Sequence, residues 1–380
     1  MSLTDEQCQV LDTARAFARK EIAPFAAEWD RNGTAPRGIY RAMAAIGLMG
    51  VTIDPRYGGA GADFVSYALA IEEIAAADGG VSNVMAANNS PVAVALQSLG
   101  TDWQKENYLT NLTSGDWIGC IQLTEPHTGS DAAAITTTAT QDGDDYIIDG
   151  HKAFVTAGSI ANLAMIIAVT DRSAGKRGIT AFITPTDNSG YEVVRKESKL
   201  GHRTNDTCEI RLNRMRVPKR DVLGETGRGL SIALANLSLG RIGVAAQATG
   251  GARAALKAAL AYAQTRETFG KPIDQHQAIA FKLADMATQI EAARQLYLHA
   301  ARMKDTGLEC VREASMAKLF ASEMAEKVAS QAIQIHGGYG YLNDFPVEKI
   351  YRDVRVYQIY EGSSEVQKIL ISRLLNELDI

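Results

Sequence analysis

Apolar residues recur with two different periods along the chain, and the changes of period divide it into three. From Thr4 to about Leu112 the spacing is helical, in alanine-rich amphipathic stretches at about 5–31, 37–47 and 65–78. Thr4, Asp5 and Glu6 open the first of these as a helix-start cluster. Pro55, Gly58, Gly59 and Gly61 make 54–63 a loop. A further helix is predicted over 90–99, with Pro91 in its first turn, where a missing N–H costs nothing.

After Trp117 the runs become short, rich in Val, Ile, Thr and Tyr, and are separated by turn signals: 144–148, a turn at Asp149-Gly150, 164–170 and 178–184. At 208–212 the alternation is strict, with Cys208, Ile210 and Leu212 on one face and Glu209 and Arg211 on the other. Several half-buried strands of this kind predict a compact antiparallel domain over 119–225. From Gly229 the helical period returns in longer runs, 231–266 with a bend at Gly250-Gly251, 276–306 and 310–335. In the last run Met316, Phe320, Met324, Val328 and Ala332 repeat every four residues as a core or subunit-contact stripe. The expected fold is therefore mainly α with a middle β domain: an N-terminal helical domain (1–118), an antiparallel, barrel-like β domain (119–225) and a C-terminal four-helix bundle (226–380).

Composition narrows the function classes. The sequence is 46% hydrophobic and 22% charged with a net charge of -5, which is ordinary for a globular protein and offers no basic field for nucleic acid. Runs such as 163–169 are too short to cross a bilayer and the amino terminus has no signal-like core, so a soluble, cytoplasmic protein is expected. Cys8, Cys120, Cys208 and Cys310 are scattered, without a CxxC pair or clustered His, so no metal site is signalled. HGGYGY at 336–341 lacks the GxGxxG spacing and follows a helix, so it is no nicotinamide fingerprint.

The most informative stretch is 357–367. Tyr357, Ile359 and Tyr360 form a run suited to an interior, Gly362 permits a turn, and Ser364 with Gln367 has capping-box spacing, which puts Glu361 on a bend between a buried segment and a helix. A carboxylate preceded by apolar residues loses hydration and gains basicity, as a base for a carbon acid must, though a solvated turn glutamate fits the same residues. Elsewhere, 123–131 ends in a small-residue turn whose N–H groups could face a phosphate, and 152–156 sets Phe154 and Thr156 on one side of a strand.

Taken in order, TEPHTGSD, KAFVTAG, RETFGKPIDQHQ, QIHGGYGY, PVEKIYRD and YQIYEGSSEVQ closely resemble the acyl-CoA dehydrogenase family over essentially the whole chain. The resemblance implies an FAD-dependent, usually homotetrameric enzyme that oxidises an acyl-CoA to a trans-2-enoyl-CoA and passes electrons to electron-transfer flavoprotein. It makes Glu361 the base that takes the α-proton, with the β-hydrogen leaving as hydride to the flavin. Leu123 and Thr124 then match the isoalloxazine edge, Gly129 and Ser130 the pyrophosphate region, and Phe154 and Thr156 the ring face. Arg266, Phe269 and Gln277 match residues that reach the FAD of a neighbouring subunit, Gln334, Gly337 and Gly338 its adenosine half, and Ser363 and Glu365 further FAD contacts. Ser130, Arg241 and Gly362 match CoA positions, and Ser238 stands beside them where several members carry an aspartate.

A family variant carries its base at the position of Gly240, which cannot take a proton. His127 and Phe154 depart from the usual small residue and tryptophan at their positions. Val84, Met85, Asn88, Asn89 and Ser90 are read as part of the acyl-pocket floor and resemble short-chain and branched short-chain members. An oxidase that uses dioxygen on the same fold, and a catalytically idle binding module, remain alternative readings.

Overall fold

The computed structural model describes residues 2–375. Helix α1 (Asp5–Phe17) starts with a capping box, in which Thr4 Oγ1 accepts from Gln7 N at 3.2 Å and Gln7 Oε1 accepts from Thr4 N at 3.1 Å. Helix α2 (Phe64–Ala77) is buried on nearly every side, as expected for a segment so poor in exposed polar positions. Helix α3 (Gly79–Ala87) starts ahead of the helix that the acyl-pocket reading places around 83–90; Asp78 caps it by accepting from Val81 N at 2.8 Å. The helix expected over 90–99 begins later, because Ser90 is extended (φ -139°, ψ 116°), as the residue before a proline prefers to be, and regular helix covers only Val94–Leu99.

Seven strands form one curled sheet: β1 (Gly119–Gln122), β2 (Thr138–Asp142), β3 (Asp145–Thr156), β4 (Leu163–Val169), β5 (Ile179–Pro185), β6 (Tyr191–Lys196) and β7 (Thr207–Pro218). Their order is β1-β4-β2-β3-β7-β6, with β5 on β4. Pairing is largely antiparallel, but β1 and β2 each meet β4 in parallel. Asp149-Gly150 is not a turn. It lies inside β3 at a break of register against β7, and a Cβ at Gly150 would stand 2.3 Å from Thr137 Oγ1, so this glycine serves close approach. The hairpin turn between β2 and β3 is at Gly143, with φ 64°.

The carboxyl-terminal part is built on α4 (Gly229–Thr265), α5 (Gln277–Asp305) and α6 (Val311–His336), closed by α7 (Pro346–Val354) and α8 (Ser364–Arg373). Helix α4 packs against α6, α2 and α5 and so ties the two helical parts together. Gly250 is again a residue of close approach, since a Cβ there would lie 2.2 Å from Glu72 O on α2. By length and composition α4 could cross a membrane, yet 67% of its most apolar window is buried inside the fold, as in the core helix of a globular protein. On α6 the four-residue stripe is only partly internal: Met324, Val328 and Ala332 are buried and Phe320 is exposed. Its most enclosed face is made of Ala314, Ala317, Ala321 and Ala325, with Lys318 among them.

Candidate active site

The turn before α8 is held in a conformation that its residues would not choose alone. Both Glu361 (φ 56°) and Gly362 (φ 87°) are left-handed, the first at a cost of about 1–3 kcal/mol for a residue with a Cβ. The flanking segments are anchored on both sides. Tyr357 is buried, and Tyr360 Oη donates to Gln247 Oε1 (2.9 Å), whose Nε2 donates to Ser82 Oγ (3.0 Å). On the far side Gln367 Nε2 donates to Glu361 O (3.1 Å) and Gly362 O (2.8 Å). The capping box expected at Ser364 is therefore absent: Gln367 faces the turn, and Ser363 is the N-cap residue, its Oγ accepting from Val366 N.

The Glu361 carboxylate is enclosed by α4 and α6. A Cβ at Gly240 would lie 3.0 Å from Glu361 Oε2, so the glycine leaves the room the carboxylate occupies. Glu361 Oε2 is buried without a hydrogen-bond partner, and the Glu361 N–H meets no acceptor among the described residues. Burial raises the carboxyl pKa to about 7, against the opposing pull of Arg241 and then Lys318. Arg241 is itself buried, 3.4 Å from Ser238 Oγ and 3.5 Å from Ser315 Oγ, with its Nε unpartnered. Ser238 and Arg241 are thus brought together with Glu361 and Gly362 at one site.

The β-domain candidates form a second cluster. Lys152 Nζ donates to Leu123 O (3.1 Å), Ile167 O (2.8 Å) and Glu125 Oε1 (2.9 Å), and Ala153 N donates to Thr124 O (2.9 Å). This buried ion pair fixes Leu123 and Thr124 against the strand that carries Phe154 and Thr156. Phe154 is left-handed (φ 57°) and 66% exposed, an aromatic face kept out of the core. Asn83 on α3 reaches Thr156 Oγ1 at 3.4 Å, while Gly129 and Ser130 lie exposed in the adjoining turn.

A third cluster stands at the ends of the long helices. Arg266, Phe269, Gly337 and Gly338 line one cavity of about 510 Å³ with Tyr262, His336 and Tyr339. Phe269 is 97% exposed at φ 50°, and a Cβ at Gly337 or Gly338 would meet nothing within 4 Å. Gln277 and Gln334 lie at exposed positions near the same helix ends and outside that lining. Exposed aromatic faces, an arginine and open glycine backbone in two separate clusters fit a long cofactor with a flat ring system and a phosphate chain. A larger cavity, about 770 Å³ between α1, α4 and α7, does not have Glu361 in its lining.

Sequence reasoning missed Lys318 and the Glu125–Lys152 pair, and read Gln367 as a capping-box partner rather than as the donor that holds the turn. A signal for Lys318 was present, since a lysine flanked by alanines at -4, -1, +3 and +7 falls on the buried face of its helix. Asn88 and Asn89, read as pocket floor, are spent on backbone instead: their amides donate to Met49 O, Leu112 O, Leu48 O and Met85 O.

Three parts in the order helical, β, helical, with a desolvated carboxylate and surfaces for a large flat cofactor, fit a flavin-type oxidoreductase. Residues 4–116, 120–215 and 227–375 match the models of the acyl-CoA dehydrogenase N-terminal, middle and C-terminal domains. An acyl-CoA dehydrogenase of Bacillus subtilis (strain 168) is 46% identical over 375 residues, 99% of each chain. The short-chain specific mitochondrial acyl-CoA dehydrogenase of Homo sapiens is 42% identical over 98% of this chain and 90% of its own. The structure of butyryl-CoA dehydrogenase from Megasphaera elsdenii superposes with a TM-score of 0.97 at 41% identity, covering 99% of both chains. The chain belongs to the acyl-CoA dehydrogenase family, and the protein is an FAD-dependent oxidoreductase.

Proposed function

We propose that the protein converts a short or branched short acyl-CoA to the trans-2-enoyl-CoA, with Glu361 as the base. The observation that carries this is the Glu361 carboxylate itself: desolvated, raised to about 7, one oxygen unpartnered, and facing a glycine rather than a second acid. A base tuned near the working pH combines ionisation with proton affinity, the requirement for removing a proton from carbon. The α-proton goes to Glu361, and the free N–H of Glu361 is a donor for the thioester oxygen as enolate charge develops. Bound FAD would supply the acceptor for the β-hydrogen and its electron pair. The C–H bond electrons at the α-carbon become the new double bond.

Leu123, Thr124, Gly129, Ser130, Phe154, Thr156, Ser363 and Glu365 hold the protomer's own cofactor in this reading. Arg266, Phe269, Gln277, Gln334, Gly337 and Gly338 complete a neighbour's, which makes a homotetramer a condition of activity. Ser130, Ser238, Arg241 and Gly362 hold the CoA ester. Electron-transfer flavoprotein is the acceptor and the cytoplasm the site of action. The short-chain preference is supported by the names of the human and Megasphaera relatives.

The test is anaerobic bleaching of the bound flavin by butyryl-CoA and isobutyryl-CoA. In Glu361→Gln the rate should fall by about 10²- to 10⁴-fold with FAD retained. Reduction at the wild-type rate would remove Glu361 from the role of base. A steady-state panel of straight and branched thioesters then orders the substrates, and preference for a long chain would overturn the short-chain assignment.

A further inference from the structure

Lys318 is a fully buried ammonium that the function described so far does not use. Its Nζ donates to Gly362 O at 2.7 Å, the same carbonyl that accepts from Gln367 Nε2. Enclosing an ammonium costs several kcal/mol, more than a single neutral acceptor returns. The compensating charge is Glu361, whose attraction is the largest influence opposing the desolvation of Lys318.

The groups that surround the pair come from every element packed against it. Arg241 on α4 acts on both, Tyr67 on α2 and Tyr360 beside the turn face Glu361, and Glu365 and Glu323 act on Lys318. Among these, Lys318 is the cation that also holds the backbone of the turn.

We propose that Lys318 is a positioning residue for Glu361: its hydrogen bond to Gly362 O holds the left-handed turn, and its charge keeps the carboxylate ionised near neutrality. The proposal rests on the reading of Glu361 as the base. Two neighbours separate its two parts. Gln367 donates to the same Gly362 carbonyl, and to that of Glu361, and carries no charge, so it contributes to the turn alone. Arg241 contributes charge and makes its hydrogen bonds to serines. Burial lowers Lys318 to about 8, so its hold on Glu361 is in place at pH 7 and is released as the pH rises past that value.

The experiment measures the second-order rate constant of flavin reduction by limiting butyryl-CoA against pH in the FAD-loaded enzyme, which reports the ionisations of the free enzyme. In Lys318→Met the acid limb should move up by about one pH unit, because one of the two cations that favour the carboxylate is gone. Lys318→Arg should return the limb toward its original pH. Gln367→Met should lower the plateau and leave the limb in place.

A limb in Lys318→Met that stays at the wild-type pH overturns the proposal, as does an equal shift in Gln367→Met. Should Lys318→Met fail to retain FAD, Lys318→Gln, which keeps a donor and loses the charge, is read by the same criteria. Glu361→Gln distinguishes the two levels. If it reduces flavin at the wild-type rate, the base assignment itself falls; if it is inactive while the Lys318→Met limb is unmoved, only the positioning role is lost.

Discussion

Glu361 and Glu125 are both enclosed glutamates with a buried lysine nearby, and their acidities are driven in opposite directions. Burial pushes each of them up. At Glu125 that push is outweighed by Lys152 and by hydrogen bonds to both oxygens, and the carboxyl sits at about 2. Its Oε2 accepts from Thr136 N (2.7 Å) and Thr136 Oγ1 (2.8 Å), and its Oε1 from Thr137 N (3.0 Å) and Lys152 Nζ (2.9 Å). At Glu361 the lysine bonds to a carbonyl instead, one carboxylate oxygen has no partner, and burial prevails at about 7. A nearby cation therefore does not by itself make a carboxylate a strong acid; direct hydrogen bonds to the anion do. The first arrangement makes a rigid anchor beneath Leu123 and Thr124. The second leaves a carboxylate with affinity for a proton near neutrality, as the proposed base requires.

Replacing each carboxylate by its amide should break the comparison most visibly. Glu125→Gln leaves Lys152 buried and unpaired and should cost about 3–5 kcal/mol of stability. Glu361→Gln removes a carboxylate that is poorly stabilised when ionised and should gain about 1–3 kcal/mol at pH 8, seen as opposite shifts in melting temperature at fixed FAD. Two shifts of the same sign would show that burial alone governs both sites.

The pH dependence should separate them next. Glu361 is raised from 4.5 to about 7, so its contribution to stability is complete below pH 4.5 and is lost as the pH climbs to 7, while its ionised form, the proposed base, appears around pH 7. Glu125 is lowered from 4.5 to about 2, so its contribution is present above pH 4.5 and is lost as the pH falls toward 2. Stopped-flow flavin reduction should accordingly be half-maximal near pH 7. Acid unfolding of Glu125→Gln should lose the part of the wild-type transition that lies below pH 4.5.

The smallest effect is expected at Gly240. A methyl group there would meet Glu361 Oε2 at 3.0 Å, tight enough that the carboxylate must give way. Gly240→Ala should raise the acid limb of flavin reduction by about a few tenths of a pH unit through added desolvation, with the fold intact. A fall of that limb would mean that the carboxylate had swung toward Arg241 instead.

Much of the architecture was legible because it rests on local periodicity. The helical, β, helical order follows from spacings of 3.6 and 2, and the long helices end within a residue or two of where the pattern stops. The errors fall where a distant segment intervened. Asp149-Gly150 reads as a turn in any window of its neighbours, and only Thr137 packed against Gly150 shows why a glycine is needed inside a strand. The start of helix α3 went unread because its glycines pass for a break. Gly79 and Gly80 are there because His202 Nε2 and Thr204 Oγ1 would lie 2.7 and 2.1 Å from a Cβ at each.

The sequence by itself determined the order of the elements and which residues are candidates for chemistry: a glutamate and a glycine on a bend between an apolar run and a helix, a phenylalanine on a strand, an arginine and paired glycines at helix ends. Tertiary structure alone decided that Glu361 is a weak acid, that Lys318 and Gln367 hold its turn, and that Ser363 rather than Ser364 caps the helix. The physical reason is range. Periodicity, caps and turns act over a few residues, whereas desolvation and charge act through space, and Lys318 and Arg241 reach Glu361 from helices far away in the chain.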